Sequence, residues 1–283
     1  FPGDSIDYEP VRERRSGADP DDVRDLVAAM LKASNPVINA GQGVLYAEAT
    51  DALVELAELT KIPVLTTLAG KSSFPENHPL ALGTGASSAT LMAHHFLKRA
   101  DFALGMGTSF TRTGFNAPMP EGTILAHSTN CPEDVNKDYR PSFGAVGDAK
   151  IVLRQMIEEV KRQAGEKGRA DVNGVAGEIA EVKKSFLAEW GPKLTSDEVP
   201  ISPYRVFSEL ASAVDVANTI ITHDSGYPRE GLVPFWEPTR PWGYLGWGKS
   251  TQLGYGLGLA LGAKMAAPEK QVINVMGDAA FGM

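Results

Sequence analysis

Between residues 36 and 162 short apolar runs alternate with longer amphipathic stretches, and that alternation limits the possible folds more than any other feature of the chain. The runs at 36–40, 62–66, 102–106 and 123–127 are apolar throughout or nearly so, as strands buried on both faces must be. Segments 47–60, 91–99 and 148–162 read as helices. A further helix starts at Asp19-Pro20-Asp21-Asp22, with Pro in the first turn and acids that suit the helix dipole. Strands separated by helices of this length join in parallel, so residues 21–163 are expected to form a doubly wound, Rossmann-like α/β sheet.

A second α/β unit is expected over residues 201–283, a Rossmann-like domain of the same kind that the chain carries only in part. Ser202-Pro203 opens a helix to residue 214, a strand covers 219–222, a glycine-rich helix follows Gln252, and a last strand covers 272–276. The loop from His223 to Ser250, roughly 28 residues, is longer than compact domains usually tolerate without a functional reason. Residues 164–200 mix charge, Gly and Pro around one helix at 175–190 and read as a linker and crossover. Residues 1–20, rich in Pro, Gly and charge, read as a linker arriving from an upstream domain.

Composition narrows the function. An apolar content of 43% supplies an ordinary core, and a net charge of −8 repels nucleic acid and anionic membrane alike. Any phosphate must be handled locally, by Mg²⁺, glycine backbone or single arginines. No segment reaches the roughly 18 to 20 apolar residues of a membrane span. The single cysteine, Cys131, fits a reducing, cytoplasmic setting. The opening Phe1-Pro-Gly-Asp has no secretory leader pattern and reads as the interior of a longer protein.

The chemistry is concentrated at the end of the chain. Val272 to Met276 is a short apolar strand, and Gly277-Asp278 stands where open parallel sheets present ligands, beyond the carboxyl ends of their strands. A carboxylate there can hold Mg²⁺ while nearby backbone N–H groups face a phosphate. Upstream by 25 residues lies Leu253-Gly-Tyr-Gly-Leu257. The combination resembles the cofactor half-site of thiamine-diphosphate (ThDP) enzymes, most closely the acetolactate synthase group, with Ala279 in place of the third Gly of Gly-Asp-Gly and the Asn-rich close of the motif lying beyond Met283. The resemblance extends over nearly the whole chain, as a central domain followed by the first half of the diphosphate-binding domain.

What the resemblance implies is specific. Asp278 binds Mg²⁺, with Gly277, Ala279 and Ala280 beside the diphosphate. Leu253 props thiamine in its bent form, and backbone groups at Thr251 and Leu253, with Gly254 following, meet the aminopyrimidine. Ser225, Gly226 and Tyr227, the last 51 residues before Asp278, occupy the loop that touches the diphosphate; Tyr227-Pro228 replaces the family's Gln-His. The activating Glu is expected in an upstream domain of a neighbouring chain, which makes the working protein a homodimer or homotetramer and leaves no catalytic residue in this segment, which alone is expected to be inactive. The implied activity is decarboxylation of a 2-oxo acid with carboligation, acetolactate formation from pyruvate first. A 2-oxo acid or oxalyl-CoA decarboxylase, or another ThDP carboligase, is the alternative, and a non-catalytic nucleotide-binding module is the rival from another class. The family's central domain holds FAD. Here its Arg-Phe-Asp-Asp reads Ser109-Phe-Thr-Arg112 and its Asp-Ile-Asp reads Ser128-Thr-Asn130, which disfavours FAD and leaves it open only with Arg112 as a shifted substitute for the family's arginine.

Other features carry two readings. Gly41-Gln42-Gly43 after a strand is a minimal phosphate-loop pattern. The ladder Gly254, Gly256, Gly258 and Gly262 costs a helix about 1 kcal/mol per Gly relative to Ala, which points to close packing or close approach to a cofactor. His94 and His95 point apart on a helix and do not form a metal pair. His223 beside Asp224 is either a proton carrier or a satisfied core residue, and Arg229 is either an anion contact or a solvated loop residue. The aromatic run Trp236, Trp242, Tyr244 and Trp247 either walls a pocket or meets a partner.

Overall fold

Every strand among the described residues pairs in parallel, as the alternation requires. The computed structural model describes residues 14–86, 88–171, 174–247 and 252–283. The first sheet contains β1 (Pro36–Ala40), β2 (Val64–Thr66), β3 (Ala81–Thr84), β4 (Phe102–Met106), β5 (Ile124–Thr129) and β6 (Phe143–Val146), in the order β3-β2-β1-β4-β5-β6. That order is the doubly wound one, with the reversal between β1 and β4. The two strands that the apolar pattern did not reveal, β3 and β6, are its edges. They read Ala-Leu-Gly-Thr and Phe-Gly-Ala-Val, short and glycine-bearing, because an edge needs only one partner.

Amphipathic helices cover both faces. In α1 (Pro20–Lys32) the buried residues are Val23, Leu26, Val27 and Met30, one stripe at helical spacing, and the Asp19 carboxylate caps the first turn by accepting from Asp21 N at 2.8 Å. The helix expected over 47–60 starts three residues late, at Thr50, and a separate short helix precedes it. A short helix α2 (Gln42–Tyr46) starts directly after Gly41, the chain turns through Glu48 at φ 52°, and α3 (Thr50–Thr60) begins afresh. Then come α4 (Leu91–Lys98), α5 (Ala149–Ala164) and the long α6 (Val175–Leu194), whose Val175, Ile179 and Phe186 join the first core.

The second sheet has three strands, β7 (Thr219–His223), β8 (Tyr244–Leu245) and β9 (Gln271–Val275), in the order β8-β7-β9. Its helices are α7 (Pro203–Ala213), α8 (Tyr227–Leu232), α9 (Tyr255–Ala266) and α10 (Asp278–Phe281). The long segment after β7 is therefore structured: it contains α8 and β8, and Trp236 and Tyr244 lie in the second core rather than on a surface. Leu68 and Ala86 of the first unit belong to that same core. A buried polar seam adjoins it. Lys71 and Glu76 form an ion pair at 2.5 Å, the Lys71 ammonium faces the Tyr244 ring, and Glu76 N donates to Pro238 O at 3.0 Å. No helix among the described residues is long and apolar enough to cross a membrane.

Candidate cofactor site

β7 and β9 are neighbours, with His223 opposite Val275, so the residues following each strand emerge side by side. The Asp224 amide extends the ladder by donating to Val275 O at 2.9 Å. The third element, the start of α9, is pulled to the same edge by a single side chain. Asp224 is fully buried, and its carboxylate accepts from Ser225 N at 2.8 Å, Gly254 N at 3.3 Å and Gly256 N at 3.0 Å. It is an N-cap supplied from a neighbouring strand, and it places negative charge at the positive end of the helix. The N–H groups of Gly254 and Gly256 are thus occupied by the protein itself, which is the close-packing reading of the glycine ladder at these two positions.

The glycines of α9 divide accordingly. Gly254 has φ 83°, in the left-handed region, and a Cβ on Gly256 would stand 2.6 Å from His223 O and 2.7 Å from Asn274 Oδ1. Those two are required where the helix starts against the sheet. Gly258 and Gly262 face open space. Leu257, Leu261 and Met265 form an exposed apolar stripe along the same helix.

The residues singled out in the sequence come together at this edge. Ser225, Gly226 and the start of α8 follow β7; Gly277 and Asp278 follow β9; Leu253 and Gly254 stand at the start of α9, where Gly254 lies against Met283 and Ala280. Thr251 lies outside the described residues. Asp278 is exposed, and among the described residues its carboxylate accepts only from the adjacent Ala279 N, at 2.8 Å. Gly226 and Gly277 have nothing within 4 Å of a would-be Cβ, and Leu253 is 44% exposed. The Tyr227 side chain turns elsewhere. Its ring meets Tyr204 edge-on at 5.6 Å, and the hydrogen bond between the two phenols pushes its pKa up to about 12.

Two nearby groups behave differently from their simplest readings. His223 is completely buried, stacked on Tyr244, and its Nδ1 lies 2.9 Å from Asp224 O, so Nδ1 carries the proton. Burial lowers its pKa to about 4, and the ring stays neutral beneath Gly246. It is a core residue with no access to the strand-end edge. Arg229 is buried rather than solvated. It bonds Glu230 through Nη2 at 2.8 Å, lies over the Phe115 ring at 4.7 Å, and finds no hydrogen-bond partner for Nε or Nη1 among the described residues.

In the first unit a crevice of about 300 Å³ opens at the reversal between β1 and β4, lined by Gln42, Gly43, Thr108 and Asn130 among others. Its glycine loop is closed to phosphate: Gly41 N donates to Met106 O and Gly43 N to Gly107 O, both at 2.8 Å, and a Cβ on Gly41 would meet Gly107 O at 2.3 Å. The glycines serve strand-to-helix packing. His127 is buried, its Nε2 is 2.7 Å from Thr108 O, and desolvation lowers its pKa. Among the described residues no group of three or more His, Cys, Asp or Glu side chains is placed to hold a metal.

This arrangement has relatives. Residues 23–156 match the family model of the thiamine pyrophosphate enzyme central domain, and residues 224–283 match that of the C-terminal TPP binding domain. A probable acetolactate synthase large subunit of Methanocaldococcus jannaschii is 33% identical over 272 residues, 92% of this chain and 44% of the relative. Its counterpart in Methanococcus aeolicus is 30% identical over 275 residues, 93% of this chain and 45% of that protein. A glyoxylate carboligase of Escherichia coli O157:H7 is 28% identical over 277 residues, 97% of this chain and 46% of that protein. The chain spans about half the length of the curated relatives it matches. With the two models matched in order, the second beginning at the residue that clamps α9 to β7, the chain belongs to the thiamine pyrophosphate enzymes.

Proposed function

We propose that the protein is a ThDP- and Mg²⁺-dependent enzyme that decarboxylates a 2-oxo acid and joins the remaining fragment to a second carbonyl, with acetolactate formation from pyruvate as the first reaction to test. The observation that carries this reading is the convergence of three loops, after β7, before α9 and after β9, on one strand-end edge. In this reading residues 21–163 are the central domain, 164–200 the crossover, and 201–283 the first part of the cofactor-binding domain.

The residues present fit the group. Mg²⁺ prefers oxygen ligands, usually one or two carboxylates together with phosphate and water, and the exposed Asp278 carboxylate supplies one. Ser225 and the unobstructed Gly226 and Gly277 would face the diphosphate, with Ala279 and Ala280 following, Leu253 would prop the thiamine, and backbone groups at Thr251 and Leu253 would meet the aminopyrimidine. When bound, ThDP supplies the electron sink that lets CO₂ leave a 2-oxo acid. The chain's own part is positioning. Asp224 fixes the start of α9 relative to both strand-end loops, so Leu253 and Asp278 keep a constant separation. No side chain described at this edge is suited to move a proton, since His223 is buried and neutral; the proton-transferring Glu is assigned to a segment outside this sequence.

The exposed apolar stripe of α9 supports assembly as a homodimer or homotetramer, and a cytoplasmic setting is part of the same reading. FAD does not fit the central crevice, because its glycine loop has no free N–H at Gly41 or Gly43, and no step is assigned to a flavin. A second reading, carboligation from a different 2-oxo acid, is favoured by Tyr227-Pro228 and by the glyoxylate carboligase relative. The test is ThDP binding by calorimetry to the full-length protein, with and without Mg²⁺, beside Asp278→Ala. Mg²⁺-dependent binding lost in the variant supports the site, and assays with pyruvate and glyoxylate then separate the two reactions. No binding by the intact protein overturns the proposal.

A further inference from the structure

The surface of α4 carries two rows of basic side chains, and among the described residues only one has an acid to face. His95 and Arg99, one turn apart, both bond the Glu178 carboxylate of α6, at 2.8 and 2.6 Å. His94 and Lys98 form the adjacent row, exposed, with no carboxylate within ion-pair distance among the described residues. Equivalent helical positions thus differ in one respect: the acid for the second row does not come from the described residues.

Beside that second row lies an open groove of about 580 Å³. Ala93 and Leu97 of α4, with Ala89 just before the helix, form one side, and Pro118 and Met119 form the other. The loop carrying the far wall is tied down: Ala117 N donates to Gly85 O at 3.0 Å, and Asn116 bridges Ala86 in antiparallel fashion. The walls are apolar apart from Asn116, whose amide already donates to Thr111 O at 2.8 Å. Small-molecule sites have this form, an apolar cleft of roughly 300–1,000 Å³ with a few placed polar groups that fix orientation.

We propose that this groove binds an aliphatic carboxylate, with its chain along Ala89, Ala93, Leu97 and Met119 and its carboxylate at Lys98 and His94. The apolar walls suit an aliphatic chain and disfavour a sugar-like one, and Lys98, with His94 beside it, selects an acidic head group. The ligand supplies to the 94/98 row the acid that Glu178 supplies to the 95/99 row. The groove shares no residue with the strand-end edge, so the proposal stands whether or not the cofactor reading does.

Calorimetric titration of the full-length protein with sodium octanoate tests it, with octylamine as a probe of equal chain length and opposite charge. Octanoate is expected to bind at one site and octylamine not to bind. Lys98→Glu, at an exposed position, is expected to weaken octanoate by roughly fivefold or more. Ala89→Phe fills the groove and is expected to abolish binding while the circular dichroism spectrum stays that of the parent. The proposal is overturned if octylamine binds as well as octanoate, if Lys98→Glu leaves the octanoate affinity unchanged, or if octanoate does not bind at millimolar concentration. Should Ala89→Phe unfold, the Lys98→Glu and octylamine results decide.

Discussion

Asp224→Asn removes one charge and replaces one oxygen atom, and it is expected to destabilise the second unit by about 2–4 kcal/mol. The wild-type carboxylate uses both oxygens: Oδ1 accepts from Ser225 N and Gly254 N, and Oδ2 from the buried Gly256 N. An amide can reproduce only half of this. If its oxygen takes the Oδ1 position, its NH₂ confronts Gly256 N–H, donor against donor; if it takes the Oδ2 position, the other two N–H groups lose their acceptor. Hydrogen bonds to a charged group contribute about 1.5–3 kcal/mol each, and an orphaned buried N–H costs about 1–3 kcal/mol. Asp278→Asn is the control. That side chain is exposed and bonds only its neighbour, so its replacement should change stability by no more than about 0.5 kcal/mol. Urea unfolding followed by tryptophan fluorescence reads the right unit, because three of the four tryptophans, Trp236, Trp242 and Trp247, lie in the segment after β7. Calorimetry on the same samples should show both variants impaired in ThDP binding, for different reasons. A stability of Asp224→Asn within about 0.5 kcal/mol of the parent refutes the clamp.

Four further outcomes follow from the geometry. His223 titrates near 4 in the folded protein against 6.5 ordinarily, so its contribution is complete above pH 6.5 and is lost as pH falls toward 4, about 3 kcal/mol in all; the wild type should lose more stability than His223→Gln between pH 7.5 and 4.5, and parallel losses would contradict the assignment. Lys71→Met leaves Glu76 buried and uncompensated and should cost about 3–5 kcal/mol, most of it restored in Lys71→Met/Glu76→Leu, as denaturant melts of the double-mutant cycle would read. Gly256→Ala should destabilise by about 1–3 kcal/mol, while Gly258→Ala should stabilise α9 by up to about 1 kcal/mol; equal effects would argue against the close approach of α9 to β7. Leu261→Asp, at a position 61% exposed, should leave the fold intact and dissociate the proposed oligomer, and an unchanged mass in sedimentation velocity would count against assembly through α9.

The central strands were legible because burial on both faces leaves a sequence little choice. β1 and β4 coincide with the apolar runs, and all ten of their residues are buried or nearly so. Edge strands lack that constraint, which is why Ala81–Thr84 and Phe143–Val146 read as connections. The segment after β7 was harder still. Its aromatic residues read as a pocket wall or a partner contact rather than as core, because the two-residue strand β8, which turns Tyr244 inward, is too short to leave a period of two. The break between α2 and α3 depends on Glu48 adopting a positive φ, a conformation its residue type does not announce.

The site was legible to a different degree, and the two aspartates explain why. Asp224 and Asp278 each directly or almost directly follow an apolar strand, and each is followed by a small residue: one sequence signal, read in the second case as a ligand. The folded protein separates them by what surrounds the carboxylate. At Asp224 the neighbouring helix arrives amide-first, and three N–H groups consume the charge; at Asp278 the chain turns away into α10 and leaves the charge to solvent. The deciding information lies in Gly256, 32 residues from Asp224, because only a residue without Cβ lets α9 approach His223 O closely enough to donate to that carboxylate. A strand-terminal Asp met by a neighbouring helix with glycines at the first and third positions of its entry is here a clamp, and the unclamped Asp278 is the one to which the proposed function gives the cation. In this protein the structural aspartate sets the position from which the other can act.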